Sequence, residues 1–397
     1  MKTIFKNIQG DKIIWAIAGL LAVFSFLPVY SASSNLAYLY GDGSTFKFLV
    51  KHLAHLLLGF AILYGVHKIP HHYFKGLSII ALPVVIILLV VTMAQGTTIA
   101  GANASRWIRI PLVGITFQTS TLAAVVLMAY VARYLSQIRD TAITFRETLL
   151  PLWLPVFVIM ALILPANFST TAIIFTMVVL LVFIGGYPLK YVGIVLGTGL
   201  LLLTLFVLTA KAFPAVFPNR VDTWMSRIEN FTDNQNTEAD YQIEKAKIAI
   251  ASGGITGLGP GKSVQKNFLP QSSSDFIYAI IVEEFGIIGA LAIMGLYLLL
   301  LFRLIIVVHR ATTLFARLLA IGVGLPIVFQ ALINMAVAVE LFPVTGQTLP
   351  LISSGGTSIW MTCLALGIVL SVSAKHKVKK KELGTMENPL DILSETI

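Results

Sequence analysis

The residues best placed to do chemistry lie in three polar interruptions of a very apolar chain. Asp275 stands in NFLPQSSSDFIYAIIVEEFG, Asn267 to Gly286, where a long polar loop meets a strongly apolar helix. A carboxylate there is half desolvated and faces whatever the loop covers, which suits a general base. The same position also suits a helix N-cap, because an Asp oxygen accepts the orphan amide hydrogens of a first turn. A second interruption, Gly101 to Ser120, carries Arg106 and Arg109 beside Trp107. Guanidinium binds phosphate oxygens bidentately and keeps its charge, so these arginines read as an anion clamp, or else as cations snorkelling at a membrane interface. The third, LFPVTGQTLPLISSGGTS from Leu341 to Ser358, contains Pro343, Gly346, Pro350, Gly355 and Gly356, which end any helix. Irregular backbone at membrane depth persists where protein buries it or where it lines a wet cavity, so a cavity is expected beside it.

Other conspicuous residues fit chemistry less well. On a helix, Glu283 and Glu284 lie roughly 12 to 14 Å along the axis from Asp275 and off its face, so they read as buried structural or coupling acids. The long loop Lys211 to Ser274 gathers Arg220, Arg227, Lys245, Lys247, Lys262 and Lys266 around ASGGITGLGPGKS, Ala251 to Ser263. A phosphate-binding loop ending on Gly261, Lys262 and Ser263 needs glycine at Thr256 and a strand ahead of it, and it has neither. His52 and His55, near Lys51, have no metal-ligand spacing and read as hydrogen-bonded core residues. The single cysteine, Cys363, permits no internal disulfide.

The elements that must position these groups are membrane helices. The chain has 397 residues, 57% of them hydrophobic and 12% charged, with mean hydropathy +0.88. That composition leaves too little polar surface to coat a water-soluble globule. Apolar runs of spanning length cover Ile13–Tyr30, Phe48–Val66, Leu77–Met93, Ile115–Leu135, Leu149–Leu164, Thr170–Gly185, Tyr191–Ala210, Phe276–Val308, Leu318–Phe342 and Ser358–Ser373. The expected fold is therefore an all-α polytopic membrane protein of about ten transmembrane helices. Its membrane domain spans 1–374 with a large extracytoplasmic loop at 211–274, and a basic disordered tail occupies 375–397. The first run is too long for a signal-peptide core and reads as a retained span. Lys68, Lys75, Arg133, Arg139, Arg146, Lys190, Arg303, Arg310 and Arg317 fall in alternate turns, so the positive-inside rule puts both termini in the cytoplasm. These scattered cations account for the net charge of +10 without a nucleic-acid partner.

Three stretches carry a family resemblance. Tyr241 to Gly286, the segment PVTGQTLPLISSGGTS and GANASRW, Gly101 to Trp107, resemble the SEDS family (shape, elongation, division and sporulation). SGGITGLGPGKSVQKNFLP is more similar to its FtsW division branch than to its elongation branch. The resemblance implies a peptidoglycan glycosyltransferase of the bacterial inner membrane with its active site on the outer face. Lipid II would be the substrate, and a class B penicillin-binding protein and other divisome membrane proteins the partners. It implies Asp275 as the essential carboxylate. Substrate contacts are implied at Arg106, Trp107, Lys266, Gln118, Ser120, Ser354, Gly355 and Gly356. Two departures stand out: Thr121 and Ala124 replace a family Glu and Lys, and Asn167 replaces a family acid.

The chemistry of such a polymerase fits one catalytic carboxylate. An α-linked diphosphate donor and a β-linked product require a single inverting displacement, with one base on the acceptor hydroxyl and no acid for a leaving group that is already good. No organic cofactor is implied; a divalent ion, Mg2+ or Mn2+, can neutralise the leaving diphosphate. A lipid transporter explains the spans and broken helices, and a scaffold explains the resemblance without chemistry; both remain alternatives. The partner's single helix is expected against the eighth or ninth span, where Gly286, Gly289, Ala290 and Gly295 offer a small-residue strip.

Overall fold

A chain this apolar can satisfy its backbone in lipid only as helices or a closed barrel, and the computed structural model is a bundle of helices. It describes residues 8–40, 45–95, 106–109, 116–139, 141, 143–212, 238–269 and 272–374. Residues 101–105, 213–237 with Arg220 and Arg227, and the tail 375–397 lie outside the described residues.

In chain order the helices are α1 (Lys12–Tyr40), α2 (Thr45–Val66), α3 (Tyr73–Gln95), α4 (Thr119–Ile138), α5 (Phe145–Ile163), α6 (Phe168–Ile184), α7 (Leu189–Ala212), α8 (Glu238–Gly253), α9 (Ile277–Arg310), α10 (Leu314–Ala338) and α11 (Gly356–Ser373). Among the described residues nine of these are long and apolar enough to cross a membrane, and α6 is a shorter apolar tenth. The expected ten spans are therefore present, with α8 as an added helix inside the long loop. Two three-residue strands, β1 (Trp107–Arg109) and β2 (Thr116–Gln118), pair antiparallel ahead of α4. The fourth span accordingly begins at Thr119 rather than Ile115.

The core is centred on α10 and α11, which are buried along most of their length, while α7 is buried on almost none of its surface. Small residues bring helices together: a Cβ at Gly59 of α2 would meet Cys363 and Ile359 of α11 at 3.0 Å, and one at Gly367 would meet Val66 at 2.9 Å. At the end opposite Asp275, Asp11 caps α1 through Ile13 N–H at 2.9 Å, its own N–H donates to Ser373 Oγ, and its carboxylate pairs with Arg303 of α9. This stitches the starts and ends of three helices.

The longest helix is broken. At Gly286 the backbone takes φ 66° and ψ −167°, a region open essentially to glycine alone. At 1.5 Å per residue α9 would extend roughly 50 Å, well beyond a ~30 Å hydrocarbon core. The break divides it into a half-helix of about 13 Å, Ile277 to Phe285, and a spanning part from Ile287. Every residue from Phe276 to Glu284 is buried.

The glycine-rich loop after α8 fills the break. Leu258 N–H donates to Glu283 O at 2.9 Å, Gly259 N–H to Glu284 O at 3.0 Å, Ile287 N–H to Gly254 O at 3.0 Å and Ile288 N–H to Ile255 O at 3.3 Å. Backbone groups freed at membrane depth are thus paired by protein. Side chains at Gly253, Gly257 or Gly286 would overlap the facing backbone. Gly253 and Gly257 thus permit the close approach of loop and helix.

The small-residue strip expected on the eighth span is not a surface. Gly286 and Ala290 are buried and a Cβ at Gly289 would strike Phe285; only Gly295 is open, on the exposed face with Ile288, Leu291 and Leu298.

Candidate active site

Three consecutive carbonyls fix the segment that carries Asp275. Ser354 donates to Ser273 O from both its N–H and its Oγ, each at 2.9 Å. Ser353 Oγ donates to Ser274 O at 2.6 Å and accepts from Leu349 N–H at 2.7 Å. Asn334 Nδ2 of α10 donates to Asp275 O at 2.7 Å. The N-cap position of α9 belongs to Phe276, so Asp275 stands one residue before it, partly exposed above a half-helix buried from Ile277 to Glu284. A Cβ at Gly346 would lie 3.4 Å from Asp275 Oδ2, so Gly346 of the irregular segment forms the wall in front of the carboxylate.

Two cavities flank that segment, as its interrupted backbone requires. The larger, about 510 Å3, lies between α6 and α10 under Phe342 to Thr345, with Arg106 and Asn167 among an otherwise mostly apolar lining. Arg106 Nε donates to Ala166 O at 2.9 Å, which holds the guanidinium beside this space. Asn167 caps α6, its Oδ1 accepting Thr170 N–H at 3.2 Å. The smaller cavity, about 120 Å3, is lined by Gln118, Ser120, Thr121, Ala124, Gln330 and Gly346. Gln347 Nε2, donating to Thr170 Oγ at 2.9 Å, lies in the loop between the two, and Ile173 and Met177 line both.

The two departures from the family pattern now have local roles. Asn167 needs only an oxygen to cap α6, which asparagine supplies as well as an acid. Thr121 Oγ donates to Gln118 O at 2.7 Å, and Ala124 leaves open the smaller cavity that a lysine would occupy.

The expected substrate contacts divide. Arg106, Gln118 and Ser120 line the cavities, with Gln118 Nε2 on Ser120 Oγ at 3.2 Å. Trp107 pairs with Gln118 across the β1–β2 ladder and orients it. Ser354 is committed to Ser273, so it braces the Asp275 segment. Gly355 is the N-cap of α11, and a Cβ at Gly356 would strike the His55 ring at 2.7 Å, so these glycines are sites of close packing.

Lys266, implied as a substrate contact, lines neither cavity. Its Nζ donates to Gly261 O at 2.7 Å and Ser31 Oγ at 3.1 Å, and Ser31 Oγ in turn donates to Glu284. Glu283 accepts from Ser263 Oγ and from Val264 N–H at 2.9 Å and Gln265 N–H at 3.2 Å. The two buried acids therefore organise the loop at the far end of the half-helix. The Lys266 ammonium is drawn there by the carboxylates.

Among the described residues no three His, Cys, Asp or Glu side chains gather into a set that could hold a metal ion. Asn334, Ser353 and Ser31 are participants that motif reading passed over.

Residues 11–378 match the family model for FtsW/RodA/SpoVE, described as cell cycle protein. A protein of a Geobacter species named "Probable peptidoglycan glycosyltransferase FtsW" is 32% identical over 380 residues, covering 94% of this chain and 99% of that one. A chain from a peptidoglycan synthase complex that coordinates polymerization and crosslinking superposes with TM-score 0.71 at 25% identity, covering 92% of this chain and 97% of that chain. The Thermus thermophilus rod shape determining protein RodA, as a mutant, superposes with TM-score 0.62 at 25% identity, again covering 92% and 97%.

Proposed function

Because this chain belongs to the FtsW/RodA/SpoVE family of cell cycle proteins, we propose that it is a peptidoglycan glycosyltransferase that polymerises lipid II during cell division. The observation that carries the reading is Asp275, held by three braced carbonyls at the head of a buried half-helix and facing Gly346, which lines the smaller cavity. In the proposed reaction Asp275 takes the proton of the acceptor sugar's 4-hydroxyl as that oxygen attacks the donor's anomeric carbon. The new C–O bond forms opposite the breaking bond to the diphosphate, the configuration inverts, and undecaprenyl diphosphate leaves with its electron pair. Asn held by its neighbours could not accept that proton.

Arg106 beside the larger cavity is the proposed partner of the diphosphate, and the apolar lining of that cavity suits an isoprenoid chain. Gln118 and Ser120 are proposed to meet sugar hydroxyls at the smaller cavity. The scheme routes no step through a metal. The charge pattern of the loops supports a site on the outer face of the bacterial cytoplasmic membrane with both termini inside. A class B penicillin-binding protein is the proposed partner, its helix on the exposed face of α9 around Gly295.

The test is polymerisation of purified lipid II by the reconstituted protein, alone and with its cognate transpeptidase. Asp275→Asn keeps the size and shape of the side chain but removes its basicity, so folding should persist while turnover falls by orders of magnitude. A rate near the parent's would turn the assignment toward a transporter or scaffold.

A further inference from the structure

Asn334 lies in the run Ala331 to Ala338 of α10, where every other residue is apolar, and is 1% exposed. Its Nδ2 donates to Asp275 O and to Gln347 O, each at 2.7 Å. Both partners are backbone carbonyls, which only accept, so the amide nitrogen must face them. Its Oδ1 is buried with no hydrogen-bond partner. A side chain chosen for stability alone would not leave a buried acceptor unpaired. What this amide does instead is set a distance. Two bonds to one trigonal nitrogen hold the two carbonyl oxygens roughly 5 Å apart. One belongs to the residue carrying the carboxylate, and the other follows Gly346, the wall in front of it. Gln347 continues the link to Thr170 of α6, beside both cavities.

We infer that Asn334 is the positioning residue for Asp275, holding the backbone of the carboxylate's residue at a fixed distance from the Gly346–Gln347 segment in front of it. The inference rests on the reading of Asp275 as the base. Asn334 touches no substrate in this scheme, so it governs the rate of the chemical step rather than affinity.

The experiment compares Asn334→Asp, which has the same shape without the NH2 group, and Asn334→Leu with the parent and Asp275→Asn. Lipid II turnover is measured in proteoliposomes and thermal stability in detergent. Both Asn334 variants should lose at least 30-fold in kcat, with KM within threefold and a melting temperature close to the parent's. A kcat within threefold of the parent in both, or a raised KM at unchanged kcat, overturns the positioning role. So does failure of both variants to fold, which would make Asn334 a folding residue. If Asp275→Asn is inactive while the Asn334 variants are not, only this inference falls; if Asp275→Asn is active, the base assignment falls with it.

Discussion

Gly286→Ala isolates the broken helix as a determinant of the fold. The backbone there, φ 66° and ψ −167°, costs a non-glycine residue about 1–3 kcal/mol. The added Cβ would overlap Ile255 O and sit 2.5 Å from Gly257 N, both backbone atoms that can yield only if the loop moves. Moving it breaks at least the two adjacent bonds, Ile287 N–H to Gly254 O and Ile288 N–H to Ile255 O, at about 1 kcal/mol each. The sum is about 3–5 kcal/mol. Over 397 residues, an unfolding entropy of about 2 cal/mol/K per residue turns that into a fall in melting temperature of roughly 5 °C. Gly295→Ala is the control on the same helix: nothing lies within 4 Å of its Cβ, so it should be neutral or slightly stabilising. Thermal unfolding in detergent, followed by intrinsic fluorescence, reads both. Equal melting temperatures for the two variants would refute the argument that the loop's close approach depends on Gly286.

Two further outcomes follow from the site. Arg106→Lys keeps the charge but loses the fork that bonds Ala166 O while presenting a second edge to the cavity; lipid II turnover should drop about tenfold or more, with Arg106→Ala lower still, at unchanged expression and membrane insertion. Gly295→Trp should reduce co-purification of the cognate penicillin-binding protein and leave the melting temperature of the isolated protein alone, whereas Ala290→Trp, at a buried position, should destabilise the protein itself.

The helices were legible in the sequence because lipid leaves so few options: apolar runs of spanning length could hardly be anything else. Asp275 was legible because a charge at a loop–helix junction is conspicuous. The break at Gly286 was not, since IVEEFGIIGA reads as continuous helix and only a contact with a loop more than twenty residues earlier reveals why a glycine stands there. Nor was the setting of Lys266, whose Nζ donates to Ser31 Oγ of α1, more than two hundred residues earlier, and to Gly261 O. Asn334 gave a signal that motif reading passed over: a buried amide in an apolar span is a functional candidate on physical grounds alone.

The broken helix also bears on how the protein is made. A half-helix of about 13 Å cannot cross a bilayer, and its end carries Glu283 and Glu284, each costing about 3 kcal/mol at the centre of a helix in lipid. Insertion machinery that sorts segments by hydrophobicity would therefore accept the stretch after Gly286 and leave the head of α9 unfinished. The segment that completes it, with a serine hydroxyl and amide hydrogens for the two acids, precedes α9 in the chain. On the proposed topology it reaches the outer face before α9 is inserted, so the position of Asp275 would be set by docking after insertion. A chain can be fully inserted, correctly threaded and still catalytically blank until that docking occurs, which makes biogenesis of the site a step separable from biogenesis of the bundle.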